Sequence, residues 1–235
     1  MNVWSGLVLG LMVSGTCYGS DWDYTTHGPA GWDKLRPEYS RCGEGQNQSP
    51  INLSNAVSGM LSGPQLNYSA SIGKVVDNGQ ALQWTPQESM GLTIDNTAYT
   101  LQQIHFHVPS EHLLNGISFP AEVHLVHKDK AGKLLVIGVF LKTGNANAFI
   151  DNMLSGLNAS DATKLQPLAL LPQDKKVMRY SGSLTTPPCT EGVKWVVMQE
   201  VMTLSPEQFS ALSEIHKGNA RPVQDHNARL VLKQL

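Results

Sequence analysis

Residues 103–112 read QIHFHVPSEH, and residues 121–127 read AEVHLVH. Five of the chain's eight histidines fall between positions 105 and 127. An extended chain alternates its side chains, so Gln103, His105 and His107 share one face. Ile104, Phe106 and Val108 take the other face and supply a core. On AEVHLVHKD, Glu122, His124 and Val126 lie opposite Val123, Leu125 and His127. Residues 109–121 are long enough to return the chain antiparallel, with Asn115-Gly116 as a turn signal. That pairing sets His124 beside His105 and His107.

Three imidazoles converging on one point suit a borderline metal, above all zinc. Three protein ligands leave a fourth tetrahedral position open, which marks a catalytic site rather than a closed structural one. A ligating histidine also needs its second ring nitrogen held. Gln103 and Glu122 each stand two residues before a candidate ligand, on the correct face. Alone, an H-x-H pair on a strand fits a solvated face or a satisfied core histidine equally well. The second strand and its carboxylate bring the metal reading level with these alternatives.

Outward from these strands, residues 51–200 alternate strand-like runs with turn residues. QLNYSA, KVVDNGQALQWTP, GLTIDNTAYTLQQIHFHV, KLLVIGVFLKTG and GVKWVVMQEVMTL are the clearest. LLVIGVFL is apolar on both faces, as in a sheet covered on both sides. NAFIDNMLSGL has helical spacing, and SPEQFSALSEI has a Ser-Pro start with Glu at the third helical position. Residues 21–50, rich in Gly, Pro and Trp, read as irregular chain over the body with one short helix near GWDKL. The fold class is mostly β (α+β), in a single domain with a few short surface helices.

The chain has 235 residues, enough for a sizeable core, and a formal net charge of −2. No basic stripe appears, so nucleic acid is not an expected partner. The first twenty residues lack Asp, Glu, Lys and Arg and carry a short apolar run, VWSGLVLGLMVSG. It is too short to span a bilayer and precedes small residues. Residues 1–19 therefore read as a signal peptide, with 20–235 as the mature domain. The expected location is periplasmic or secreted, with no membrane attachment after cleavage. Cys42 and Cys189 then remain, as one disulfide or as two buried thiols.

QIHFHVPSEH, AEVHLVH, LLVIGVFLK and SGSLTTPPCTEGVKW resemble the α-class carbonic anhydrases, and GQNQSPINL and NARPVQ match motifs that flank them. The resemblance runs from about residue 21 to the C-terminus, and it is closest to the bacterial exported type. It implies a central, largely antiparallel twisted sheet of about ten strands, with Zn2+ at the base of a conical cleft. It implies His105, His107 and His124 as metal ligands and a Cys42–Cys189 disulfide. Thr185 and Glu111 correspond to the pair that orients a zinc-bound hydroxide. Thr186 corresponds to the bicarbonate contact. Val126, Val136, Leu184, Val193 and Trp195 correspond to the apolar wall for carbon dioxide.

The implied reaction is reversible hydration of carbon dioxide to bicarbonate and a proton, by a zinc lyase with esterase activity on the side. The alternative is a catalytically weak carbonic-anhydrase-like binding module, and the working unit is a monomer or a homodimer. His112 and His127 read as structural hydrogen-bonding residues, and His216 and His226 as surface residues. The family's proton-shuttle histidine corresponds here to Gln80, a neutral amide; the resemblance brings Tyr24 and His27 near the cleft mouth as candidate substitutes, His27 the better by pKa. Cis peptides are implied at Ser49-Pro50 and Pro187-Pro188.

Overall fold

The strand Thr97–His107 changes faces partway along its length. Its first half buries Tyr99 and Leu101, and its second half buries Ile104 and Phe106. The switch coincides with a register irregularity between Leu101 and Gln103, where Gln102 is the extra residue. A bulge of this kind inverts the alternation beyond it. His105 and His107 consequently face away from the main core, although they share odd numbering with the core residues Tyr99 and Leu101.

The computed structural model describes residues 21–159 and 161–235. The leader read at 1–19 lies outside the described residues. Thr97–His107 pairs antiparallel with Ala121–Lys128, and His105 stands directly opposite His124. The strand before it, Gly91–Ile94, forms a hairpin with it through Asp95 and Asn96, both at positive φ. That is the backbone a two-residue primed turn requires. Asn115 and Gly116 are also at positive φ, at the turn signal between the two histidine strands.

These strands belong to a 13-stranded sheet. Leu134–Thr143 follows Ala121–Lys128 and is buried from Leu135 to Leu141. Leu135, Ile137, Val139 and Leu141 enter one apolar cluster, together with Phe149, Ile150 and Leu212 of two helices. Val136 and Phe140 enter a second cluster, with Trp195 and Ile51. Both faces of the strand are therefore covered, as its unbroken apolar run requires.

The sheet is largely antiparallel, as the sequence reading has it, with a minority of parallel pairings that make it mixed. Leu134–Thr143 pairs parallel with Glu191–Met198 and with Met202–Leu204. Leu232–Gln234 pairs parallel with Val57–Gly59. Parallel neighbours need a long crossover, and the stretch between residues 143 and 191 supplies one with the helix Ala148–Leu157. The other long helix, Pro206–His216, starts in a capping box. Ser205 accepts from the Gln208 backbone N–H while the Gln208 side chain reaches back to Ser205. Gln208 thus stands where Glu was expected, and Glu207 sits one place earlier.

The N-terminal wrap contains four short helical pieces, not one: Pro29–Gly31, Trp32–Leu35, Pro37–Tyr39 and Arg41–Glu44. Trp32 packs there with Cys42 and Cys189. The two cysteines form a disulfide, with Cα atoms 5.1 Å apart. The cis peptides at Ser49-Pro50 and Pro187-Pro188 are present, and Val108-Pro109 is a third.

The bridge joins residues separated by 147 positions. Loop-closure entropy for such a crosslink amounts to about 5 kcal/mol at most. Cys42→Ser/Cys189→Ser should therefore unfold at a lower guanidinium midpoint, by up to that free energy. Reducing agent should shift the wild type to match, and leave the double variant unmoved.

Candidate metal centre

Each of the three histidines has one ring nitrogen held by a hydrogen-bond acceptor. His105 Nδ1 donates to Gln103 Oε1 at 2.8 Å. His107 Nδ1 donates to the Asn219 carbonyl at 2.6 Å. His124 Nε2 donates to Glu122 Oε1 at 2.8 Å. The remaining nitrogens are His105 Nε2, His107 Nε2 and His124 Nδ1, all lone-pair acceptors when the rings are neutral. One nitrogen from each ring lies within 4.8 Å of the others. His105 Nε2 and His107 Nε2 are 3.0 Å apart, two lone pairs facing each other. A cation between them resolves that repulsion, and ligand nitrogens around tetrahedral zinc stand roughly 3.3 Å apart.

The site is largely enclosed: His107, His124, Glu111 and Glu122 are buried. Burial, reinforced by the neighbouring histidines, holds the His105 pKa well below its ordinary value. Burial also lowers that of His107. Neutral imidazole is the form that binds metal. Burial opposes ionisation of Glu122, yet His112 and His124 keep its pKa well below the usual carboxylate range. Its oxygens accept four donors: the His112 and His124 rings, and the backbone N–H groups of Glu111 and His112. His112 passes the chain on, through its Nε2, to the Tyr180 hydroxyl and thence to Ser49.

Glu111 is held differently. Its Oε1 accepts the Arg221 backbone N–H at 2.9 Å. Its Oε2 is buried and has no hydrogen-bond partner. That oxygen lies 3.5 Å from His107 Nε2 and 3.9 Å from His124 Nδ1. An orphaned carboxylate oxygen beside three unpaired ligand nitrogens fits a centre completed by a cation and a hydroxyl donor. Thr185 is buried. Among the described residues no hydrogen bond joins Thr185 to Glu111.

A cleft of about 170 Å³ opens over the triad, lined in part by Trp22, Tyr24, Gln80, Gln103, His105 and Thr186. The five expected wall residues fall in one apolar cluster. Val136, Val193 and Trp195 are buried, while Val126 and Leu184 are half-buried. The Trp195 ring stands 4.9 Å from that of His124. Tyr24 lines the cleft, whereas His27 lines a separate hollow on the wrap. Burial pushes the Tyr24 phenol pKa up, away from the neutral range. His216 and His226 are half-buried rather than free on the surface. His216 pairs with Asp77 at 2.6 Å, and His226 meets the Asn52 carbonyl.

Sequence reading missed two contributors, the Asn219 carbonyl and the Arg221 N–H. Their only signal was the NARPVQ motif, since backbone atoms carry no residue identity.

The eukaryotic-type carbonic anhydrase family model matches residues 27–235. A carbonic anhydrase of Pectobacterium carotovorum is 38% identical over 240 residues, 96% of this chain and 98% of that protein. The α-carbonic anhydrase of Thermovibrio ammonificans, solved with the inhibitor sulfanilamide, superposes with a TM-score of 0.86 at 38% identity. That match covers 92% of this chain and 100% of the other. Dioscorin complexed with ascorbate superposes with a TM-score of 0.85 at 34% identity, over 92% of this chain and 99% of the other.

His127 is buried against Tyr68, whose hydroxyl lies 2.6 Å from its Nε2. Burial lowers its pKa to about 4. The unfolded chain therefore takes up a proton between about pH 6.5 and 4 that the folded chain refuses. Stability from this residue is full above that window and is lost as pH falls through it, on the order of 3 kcal/mol in total. Urea unfolding across the window should give a flatter pH profile for His127→Gln than for the wild type.

Proposed function

The chain belongs to the eukaryotic-type carbonic anhydrase family, and from that premise we propose that it is a zinc enzyme interconverting carbon dioxide with bicarbonate and a proton. The observation that carries this reading is the convergence of three imidazoles, each with its second nitrogen held, beside the orphaned Glu111 oxygen. His105 Nε2, His107 Nε2 and His124 Nδ1 would hold the metal. Zinc there supplies Lewis acidity that makes water nucleophilic at neutral pH.

The chain's own residues orient the reaction. With Glu111 Oε1 taken by Arg221, Oε2 is the oxygen left to accept from the Thr185 hydroxyl when that side chain turns toward it. A hydroxyl has one proton, so Thr185 is left only as an acceptor toward the reacting oxygen. That directionality selects a donor oxygen and aligns its lone pair at the substrate carbon. Val126, Val136, Leu184, Val193 and Trp195 exclude water and receive the uncharged, linear carbon dioxide. The same apolar surface gives no counter-charge to bicarbonate, so the anion leaves, with Thr186 as its passing contact. Activated esters offer the same electrophilic carbon, and esterase activity follows as a side reaction.

Export to the periplasm or beyond is supported by the disulfide, which persists in oxidising compartments. No described helix is long and apolar enough to cross a membrane.

His124→Ala should lose nearly all zinc by elemental analysis and nearly all carbon dioxide hydration by stopped flow. Glu122→Ala keeps the three ligands but frees the His124 ring, and should weaken zinc binding by roughly 10–100-fold. Stoichiometric zinc and normal turnover in His124→Ala would remove the ligand assignment.

Proton export is the expected slow step. Gln80 lines the cleft, and an amide neither takes up nor releases a proton near pH 7. Turnover should rise with added imidazole buffer, whose pKa matches the task. Gln80→His should raise kcat at low buffer, up to roughly 10²-fold, and leave kcat/KM near its starting value. His27→Ala should change neither. A wild-type kcat already high and flat across buffer concentration would count against this account.

A further inference from the structure

GQNQSPINL and NARPVQ flank the histidine motifs in sequence, and they meet in space at Arg221. This arginine is 2% exposed. Its Nη1 donates to Gln48 Oε1 at 2.9 Å and to the Ser49 carbonyl at 2.8 Å. Its Nη2 donates to the Cys42 carbonyl at 2.7 Å. All three acceptors are neutral, and the Trp32 ring lies 5.8 Å from the guanidinium carbon. Burying a cation among neutral groups is costly, and a purely structural tie could be made with less. Burial lowers the Arg221 pKa to about 10, opposed in part by Glu111 and by Tyr24.

The backbone of the same residue carries the second contact. Its N–H donates to Glu111 Oε1, and among the described residues no other hydrogen bond to that carboxylate is found. A planar fork with three fixed acceptors leaves its own main chain little freedom. Pro222 follows directly, and the residue before a proline is confined to extended backbone. The N–H is thus pinned from both sides, and with it the choice of which Glu111 oxygen stays available.

We propose that Arg221 is a positioning residue for Glu111. Its guanidinium, anchored on Cys42, Gln48 and Ser49, locks the backbone N–H that keeps Glu111 Oε2 turned toward the ligand nitrogens. This rests on the reading of Glu111 as the partner of Thr185. Lysine keeps the charge but has one ammonium in place of the fork, so it cannot hold the three acceptors in one plane.

The test is a double-mutant cycle. Arg221→Lys and the milder Gln48→Met, which removes one anchor, are each made in the wild type and in Glu111→Gln. Three quantities are read: zinc stoichiometry, kcat and KM for carbon dioxide hydration, and the visible absorption of the cobalt(II)-substituted protein. Arg221→Lys should bind zinc stoichiometrically, lose between about tenfold and 10²-fold in kcat/KM, and alter the cobalt bands. In the Glu111→Gln background the same substitution should change activity less than about twofold and leave the bands as they were. Gln48→Met should show the same dependence on Glu111 with a smaller loss, and it decides the matter if Arg221→Lys does not fold. Equal losses in both backgrounds, or no loss with unchanged cobalt bands, would overturn the proposal. If the zinc-loaded wild type fails to hydrate carbon dioxide, the proposed function falls, and the cobalt bands still report whether 221 and 111 are coupled.

Discussion

One extra residue in one strand decides which way the site faces. Gln102 inverts the alternation of Thr97–His107, so the half that carries Ile104 and Phe106 buries even positions. Without it, His105 and His107 would follow Tyr99 and Leu101 into the apolar core. The cost of burying two unpaired imidazoles there makes the register strongly specified. Everything downstream, from the opposition of His105 and His124 to the cleft above them, depends on that local inversion.

Much of this is legible in the chain. HFH and EVH on neighbouring strands bring three histidines together, and the family resemblance is what singles them out as candidate ligands. Gln103 and Glu122 are readable as ring holders, because a period of two puts them on the ligand face. The bulge itself is marked by QQ, two polar residues in succession where alternation demands one. The parallel pairing of Leu134–Thr143 with Glu191–Met198 is not legible, since a buried strand is apolar on both faces whichever way its neighbour runs. Nor are the roles of Asn219 and Arg221. They act through a carbonyl and an amide, which every residue but proline possesses. The half-burial of His216 and His226 was hidden for another reason: their partners, Asp77 and Asn52, are more than a hundred residues away.

The charges around the triad form a lopsided set. Glu111 and Glu122 are buried carboxylates, Arg221 is a buried cation, and His105 and His107 are held neutral by burial. The two carboxylates are treated unequally. Glu122 is saturated by four donors and serves the fold and the His124 ring. Glu111 is left with one open oxygen, and openness in so enclosed a place is where chemistry can be directed.

The holders of the site come late in the chain. The Asn219 carbonyl that fixes the His107 ring is 112 residues downstream of it, and the Arg221 amide that fixes Glu111 is 110 residues downstream. A polypeptide delivered N-terminus first, by a ribosome or through a translocation channel, presents its three histidines long before either holder has emerged. During that interval the His107 ring is free to spin, and Glu111 has no preferred oxygen. The two histidine strands can find each other early, yet the centre stays unfinished until residues 219–221 arrive. A metal held by these histidines would find its full set of supports only on the near-complete chain.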